Sequence, residues 1–359
     1  MAKVLVAMSG GVDSSVCAWI LKQQGYDCIG ATMQLYDNDT VGSDRSNTCC
    51  SLEDTEDARS VAYRIGIPYY VFNYKEAFQK EVIDRFVKTY ECGDTPNLCI
   101  DCNRFMKFDH LWQRAQELGC DYIATGHYAQ IDRRGSDGRY LLKKGPDPAK
   151  DQSYVLYSLT QEQLAHTLFP LGSLTKDKVR RIAEDQGFIN AKKRDSQDIC
   201  FVPDGDYASF IRTHTGKEYP EGDFVDVEGN VLGRHKGIIH YTIGQRRGLG
   251  IPAEKRLYVL SKDLKNNTIT LGRSEDQLCT GFYVKDLNLI SSERLSEPLH
   301  TTVSIRYHQK PRPALLTQLS DDLAFVKLFE PQRGIAAGQA AVFYEGGYCF
   351  GGGTIRLGQ

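Results

Sequence analysis

A chain of 359 residues and 40.4 kDa is too long for one ordinary domain and long enough for two or three, each burying its own core. With 41% hydrophobic and 25% charged residues, a mean hydropathy of -0.41 and no apolar run near bilayer length, its composition excludes a disordered, fibrous or membrane-spanning chain. The formal net charge of -2 supplies no global excess of cations, so RNA, if bound, must meet local patches.

The N-terminal stretch MAKVLVAMSGG reads as a strand entering a loop, not as a signal or transit peptide, and the cytoplasm is the expected compartment. The 11 cysteines then point to reduced thiols, some of them reactive, over a disulfide framework. Cys17 and Cys28 fall in apolar patterns and are expected to be buried. Along the chain, Lys3 to Met8 predicts a strand, Ser14 to Gln24 a helix stopped at Gly25, Cys28 to Leu35 a strand, and Leu52 to Ile65 a helix closed by Gly66. Tyr69 to Phe72 follows as an aromatic strand, Lys75 to Tyr90 as a helix and Cys92 to Asn103 as a loop. Phe105, Phe108, Leu111, Trp112, Ala115 and Leu118 recur at helical spacing, and Tyr122 to Thr125 is a short strand beside Asp121, whose role is expected to be structural. Strands alternating with helices predict a doubly wound parallel sheet, with ligands at the carboxyl ends of its strands.

The periodicity changes after about Phe201. From Phe224 onward the runs are short, β-rich and broken by Gly, Asn and Pro, with hairpins expected around Gly229-Asn230 and Asn266-Asn267. Gly351-Gly352-Gly353 reads as a tight barrel turn. The expected class is therefore α/β, with an N-terminal parallel-sheet domain over 1–205, a small central β-rich domain over 210–280 and a C-terminal antiparallel β-barrel over 281–359.

Ser9-Gly10-Gly11-Val12-Asp13-Ser14-Ser15 lies between the first strand and first helix, where backbone N–H groups and a helix N-terminus suit phosphate. No Gly-Lys-Ser/Thr follows, so this is not a Walker loop. The glycines admit a close pyrophosphate, the hydroxyls donate, and Asp13 is a candidate for helping to hold Mg²⁺. SGGVDSS resembles the PP-loop of the N-type ATP pyrophosphatases, which split ATP between its α and β phosphates and adenylylate a substrate oxygen. Several substrate classes share that loop.

The cysteines narrow the choice. Cys99 and Cys102 stand in TPNLCIDCNR ahead of a helix, near Arg104 and Lys107, a setting that favours thiolate. Cys200 stands in DSQDICF after Lys192-Lys193-Arg194. With AMSGGVDSS, CNRFMKF, ATGHYA, KDQSYVL, SQDICFV, YTIGQRRGLG and SIRYHQKPRPA, the chain resembles the tRNA-specific 2-thiouridylase family over essentially its full length. The resemblance implies an adenine-nucleotide-hydrolase-like fold and a tRNA-uridine 2-sulfurtransferase using ATP and Mg²⁺. It implies ATP contacts at Ala7, Met8, Ser9, Gly10, Gly11, Val12, Asp13, Ser14, Met33 and Gly126, a nucleophilic Cys102 and a persulfide-carrying Cys200. Asn97, Leu98 and Cys99 would face the target base, and His127, Lys150, Asp151, Gln152, Arg306, Tyr307 and Gln339 would contact tRNA.

The implied chemistry is coherent: adenylylating the C2 oxygen of the wobble uridine makes it a leaving group, persulfide sulfur attacks C2, and thiol exchange ends in a Cys102–Cys200 disulfide. The alternative order, with Cys102 first releasing hydrosulfide, stays open. The implied partners are a tRNA anticodon loop and a persulfide donor such as a cysteine desulfurase or sulfur-relay protein, with the enzyme itself expected to be monomeric. Cys99 stands where many family members carry aspartate, so a [4Fe-4S] cluster on Cys99, Cys102 and Cys200 is an alternative route to the same product. A PP-loop ligase of small metabolites and a non-catalytic RNA-binding protein are the rival functions. Lys192-Lys193-Arg194, Gln245-Arg246-Arg247 and Arg306 to Lys310 are candidate RNA patches, each of a kind more often found as solvated surface, and the resemblance favours only Arg306 and Tyr307.

Overall fold

The computed structural model describes residues 1–36, 52–193, 199–202 and 205–358. Arg194 of the basic run and Asp195 to Asp198 of the DSQDICF motif lie outside the described residues. The chain divides into two compact units, one built from Met1–Ile83, Leu98–Gly205 and Glu345–Gly351, the other from Asp84–Asn97, Asp206–Tyr344 and Gly352–Gln359.

In the first unit β1 (Lys3–Ala7), β2 (Asp27–Gln34), β3 (Tyr69–Asn73), β4 (Tyr122–Ala124) and β7 (Thr167–Leu168) form a parallel sheet in the order β3-β2-β1-β4-β7. β1 is central, pairing Val4 with Cys28 on one side and Tyr122 on the other. Its Val4, Leu5 and Val6 are fully buried, as expected of a strand covered on both faces. Helices α1 (Val12–Gln23), α2 (Leu52–Ile65) and Lys176–Asp185 supply Val16, Leu21, Val61, Ala62, Val179 and Ala183 to a core shared with β1. Cys17 and Cys28 are buried in it as expected, and burial pushes both thiols up, that of Cys28 to about 11, so neither is a ready nucleophile. Asp121 accepts the Lys3 N–H at 2.8 Å, tying β4 to β1.

Two helical stretches depart from expectation. Lys75 to Glu91 is helical, but a wide π turn at Gln79–Ile83 interrupts it. The expected loop from Cys92 to Asn103 ends early: helix resumes at Leu98–Asp101, opens into a π segment at Cys102–His110 and tightens again over Leu111–Glu117. Cys99 and Cys102 therefore sit within the helix and not in a loop ahead of it. Pro96 biases Thr95 away from the helical region, which places the break before Leu98. Such π segments keep apolar side chains at roughly helical spacing, so the sequence period conceals them.

An antiparallel hairpin, β5 (Ala129–Arg133) with β6 (Tyr140–Lys144), also belongs to this unit. Tyr348 and Cys349, from the far end of the chain, pair with Lys143 and Leu142, and the Tyr348 hydroxyl donates to Asp132 at 2.8 Å.

In the second unit β8 (Gly222–Val225) and β9 (Val231–His235) form one expected hairpin, β10 (Tyr258–Asp263) and β11 (Thr268–Gly272) the other, and parallel pairing of β8 with β11 joins them around Phe224, Val259, Ile269 and Leu271. A six-stranded antiparallel barrel follows from β12 (Cys279–Leu289), β13 (Leu299–Ser304), β14 (Arg312–Gln318), β15 (Leu323–Gln332), β16 (Ala340–Glu345) and β17 (Tyr348–Arg356), in the order β12-β15-β14-β13-β16-β17 and closed by β12 against β17. Gly351 to Gly353 do not make the expected turn; they lie inside β17. The reason is steric: a Cβ on Gly353 would stand 2.5 Å from Val284 Cγ1 and 2.6 Å from the Lys285 carbonyl, so the close approach of β12 requires glycine. Among the described residues no helix is long and apolar enough to cross a membrane.

Lys262 in β10 yields a stability prediction. Its ammonium is buried with no hydrogen-bond partner among the described residues, 6.0 Å from the centre of the Tyr90 ring. Burial pulls its pKa down to about 8 against the opposing pull of Asp94. The unfolded chain, with the ordinary lysine value of about 10.4, holds more protons between these limits, so this group makes stability rise with pH across that window. Lys262→Met should stabilise the protein by about 2 kcal/mol at pH 7, with the gain shrinking towards pH 10. Urea unfolding at both pH values checks this, and a gain independent of pH would refute it.

Candidate active site

The glycine-rich loop is braced from several directions. The Met8 N–H donates to the Ala31 carbonyl at 2.8 Å, and the Ser9 N–H to Ser14 Oγ at 3.1 Å. Ser14 Oγ and Ser15 Oγ in turn donate to the Gly11 carbonyl at 3.1 and 3.0 Å. Buried Asn190 donates from Nδ2 to the Gly10 carbonyl at 2.8 Å and to Ser15 Oγ at 2.9 Å. Gly10 has φ +75°, and a Cβ there would lie 2.2 Å from the Asp54 carbonyl oxygen. Gly126, just beyond β4, packs so closely that a Cβ would come within 2.9 Å of the Ser14 nitrogen. Gly11 is the N-cap of α1 and brings no side chain over the first-turn amides, so the positive end of the helix dipole meets the loop. Ala7 ends β1, while Met8, Val12, Ser14 and Met33 are buried around the loop and Ser9 is exposed.

Asp13 is differently engaged from the expectation that it helps hold Mg²⁺. Lys176 Nζ lies 2.8 Å from each of its carboxylate oxygens, and the Tyr128 hydroxyl donates to Oδ1 at 2.7 Å. Here the carboxylate makes an internal ion pair. Lys176, Tyr128 and Asn190 were not singled out from sequence, where each is an isolated residue in an ordinary element.

Cys99 is exposed in the first helical turn, whereas Cys102, at the start of the π segment, and Cys200 are half-buried. The Tyr36 hydroxyl donates to the Cys200 carbonyl at 3.0 Å, and Phe201 packs edge-on to Phe78 with ring centres 5.9 Å apart. Tyr36 also meets Phe78, and the π turn that follows Phe78 packs against the segment that Cys102 opens. Phe201 beside Cys200 and the segment that Cys102 opens thus both pack against the helical stretch at Lys75–Ile83. Asn103 is buried, donating to the Val155 carbonyl at 3.3 Å, while its Oδ1 has no partner among the described residues. Arg104 is exposed over the Phe105 ring. Among the described residues no three of His, Cys, Asp and Glu gather into a group that could hold a metal ion, so Cys99, Cys102 and Cys200 as placed do not fit an iron–sulfur cluster.

His127 is buried between Phe108 and Phe169 with Nδ1 2.6 Å from Thr125 Oγ1, and burial, helped by the Lys107 charge, holds its pKa well below the ordinary value. It is a neutral, enclosed ring. Asp151 accepts from the Gly145 and Ser153 N–H groups at 3.0 and 3.1 Å, and Gln152 Oε1 accepts from the Tyr128 N–H at 3.0 Å. Both side chains therefore shape the turn that carries half-buried Lys150. Leu98 is half-buried at the start of its helix.

The remaining predicted residues belong to the second unit. Gln339 donates from Nε2 to the Thr95 and Pro96 carbonyls at 3.1 and 2.8 Å, and the Thr95 N–H donates to the Ala337 carbonyl at 2.9 Å, so the barrel grips the segment ending in half-buried Asn97. Arg306 is exposed and donates to the Gly334 carbonyl at 2.6 Å. Tyr307 is 36% exposed, its ring centre 3.8 Å from that of His308.

Residues 2–204 match the family described as tRNA methyl transferase HUP domain, 208–273 the tRNA methyl transferase PRC-barrel domain, and 279–355 the aminomethyltransferase beta-barrel domain. The chain is 52% identical over 354 residues to the tRNA-specific 2-thiouridylase MnmA of Clostridioides difficile (strain 630), covering 99% of this chain and 98% of that one. It is 50% identical over 355 residues to the protein of the same name from Acetivibrio thermocellus, covering 99% of each. A braced glycine loop at the end of β1, two half-buried cysteines in the same compact unit and likeness across all three matched segments lead to one conclusion: the chain belongs to the tRNA-specific 2-thiouridylase MnmA family.

Proposed function

We propose that the protein catalyses ATP-dependent 2-thiolation of the wobble uridine of tRNA, releasing AMP and pyrophosphate. The observation that carries this reading is the braced SGGVDSS loop in the same compact unit as Cys102 and Cys200. Residues 1–205 are read as the catalytic domain, with 210–280 and 281–359 as the central and barrel domains. The substrate is an anticodon loop whose uridine is turned out towards Asn97, Leu98 and Cys99. Lys150, Asp151 and Gln152 of the first unit, and Arg306, Tyr307 and Gln339 of the second, are read as tRNA contacts, and His127 as support for the site from within.

ATP binds with its phosphates over Ser9 to Ser14, where the braced loop and the first-turn amides of α1 offer donors. Because Asp13 is paired with Lys176, Mg²⁺ would arrive bound to the phosphates and would neutralise charge as pyrophosphate leaves. The uridine C2 oxygen attacks the α-phosphorus and pyrophosphate departs. The terminal sulfur of a Cys200 persulfide, loaded by a cysteine desulfurase or relay protein, then attacks C2 and expels AMP. Cys102 thiolate attacks the Cys200 sulfur, the thiolated base leaves, and an external thiol reduces the resulting disulfide before the next turnover. Since the cysteines as placed do not fit a cluster, no step is routed through one. We read the enzyme as a cytoplasmic monomer.

The direct test incubates the protein with unmodified tRNA, ATP, Mg²⁺ and a persulfide source, then analyses nucleosides by mass. Uridine should gain about sixteen mass units as sulfur replaces oxygen, and only when ATP and persulfide are both present. A gain independent of ATP, or ATP cleavage that ignores tRNA in favour of a small metabolite, would defeat the proposal.

A further inference from the structure

Asp13 poses an electrostatic problem that its neighbours answer. A carboxylate in the first turn of α1 suits the helix dipole when the loop is empty, but it repels the phosphates that the loop is proposed to receive. Gly126 prevents the backbone from withdrawing: a Cβ on it would stand 2.8 Å from the Asp13 carbonyl carbon, so the two segments are already in contact. The charge has to be cancelled where it is. Lys176 does this with both carboxylate oxygens at 2.8 Å, and it comes from the first turn of a helix 163 residues away. The lysine is 7% exposed and its ammonium lies 5.9 Å from the centre of the Tyr128 ring, whose hydroxyl donates to the same carboxylate. An ammonium so enclosed is fixed in place, unlike a surface cation.

We propose that Lys176 is a positioning residue for nucleotide binding, holding Asp13 neutralised and immobile beneath the phosphate loop so that ATP meets amide donors and not an open negative charge. The inference rests on the ATP reading given above. It distinguishes Lys176 from a direct phosphate ligand, and Asp13 from a magnesium ligand.

The test measures equilibrium binding of MgATP and of adenosine to the full chain and to Lys176→Met, Asp13→Asn and the double variant. Lys176→Met should weaken ATP by about tenfold or more while leaving adenosine, which has no phosphate, unchanged. Adding Asp13→Asn should restore ATP to within about threefold of the parent, because the uncancelled charge is gone. Asp13→Asn alone should bind ATP no more weakly than the parent, a result that stands even if Lys176→Met does not fold. A double variant as weak as Lys176→Met, parallel loss of adenosine, or weakening of about tenfold in Asp13→Asn alone would each overturn the inference. A parent protein that binds no ATP would instead remove the underlying reading.

Discussion

On the proposed route, Cys200→Ser should abolish sulfur transfer, with 2-thiouridine formation falling by roughly 10³-fold or more, while ATP-dependent adenylylation of the tRNA should continue. A serine oxygen cannot carry a terminal sulfur, yet it matches the cysteine closely in size. The Tyr36 contact goes to the Cys200 carbonyl and the aromatic contact belongs to Phe201, so neither bracing interaction is lost. Cys102→Ser acts one step later. It should leave the base joined through a disulfide to Cys200, seen as a protein–tRNA adduct that survives denaturant and is released by dithiothreitol. Cys99→Ser, by contrast, should retain activity within a few-fold on this route, roughly the effect of an ordinary exposed substitution. Single-turnover assays with purified persulfide donor decide the matter. Robust product from Cys200→Ser would sink the persulfide route, and loss of activity in all three variants without any adduct would return attention to chemistry shared among the three thiols.

Gly10→Ala should be nearly as damaging, at the other end of the reaction. Gly10 has φ +75°, a region costing an alanine about 1 kcal/mol before any contact is counted. The added methyl would also stand 2.2 Å from the Asp54 carbonyl oxygen, which is backbone and cannot rotate away. Nor can α2 easily retreat, because Lys193 pins it through Asp54 at 2.7 Å and Asp57 at 2.6 Å. The loop itself must yield, and a shift of about 1 Å in a phosphate cradle costs roughly 100-fold in ATP-dependent rate. ATP titration and thermal unfolding of the variant should show both weakened binding and a lowered Tm. Affinity within a few-fold of the parent would mean that the nucleotide does not depend on this loop geometry.

Much of the first unit could be read from the chain because its signals are local. The helix at Leu52 to Ile65 and its stop at Gly66 follow from apolar spacing and a glycine that accepts positive φ, and both appear at the expected residues. The hairpin at Asn266-Asn267 is equally local, with Asn267 at φ +50°. The π segments were hidden because one extra residue per turn barely disturbs an apolar stripe, and the glycine triplet in β17 was misread because its partner strand lies about seventy residues upstream.

By itself, then, the sequence determined the alternation of strands and helices, the presence of a phosphate-type loop, the cysteine-bearing motifs and the family they resemble, since each depends on side-chain type and spacing among near neighbours. Tertiary structure alone decided that Lys176 and Tyr128 would close on Asp13, that Asn190 would brace Gly10, that Gln339 would grip Thr95 and Pro96, and that Tyr348 and Cys349 would return to pair with Lys143 and Leu142. Those contacts join residues tens to hundreds of positions apart. They arise because a packed interior must satisfy every buried charge and amide with whatever the fold brings close, and a linear pattern carries no record of that proximity.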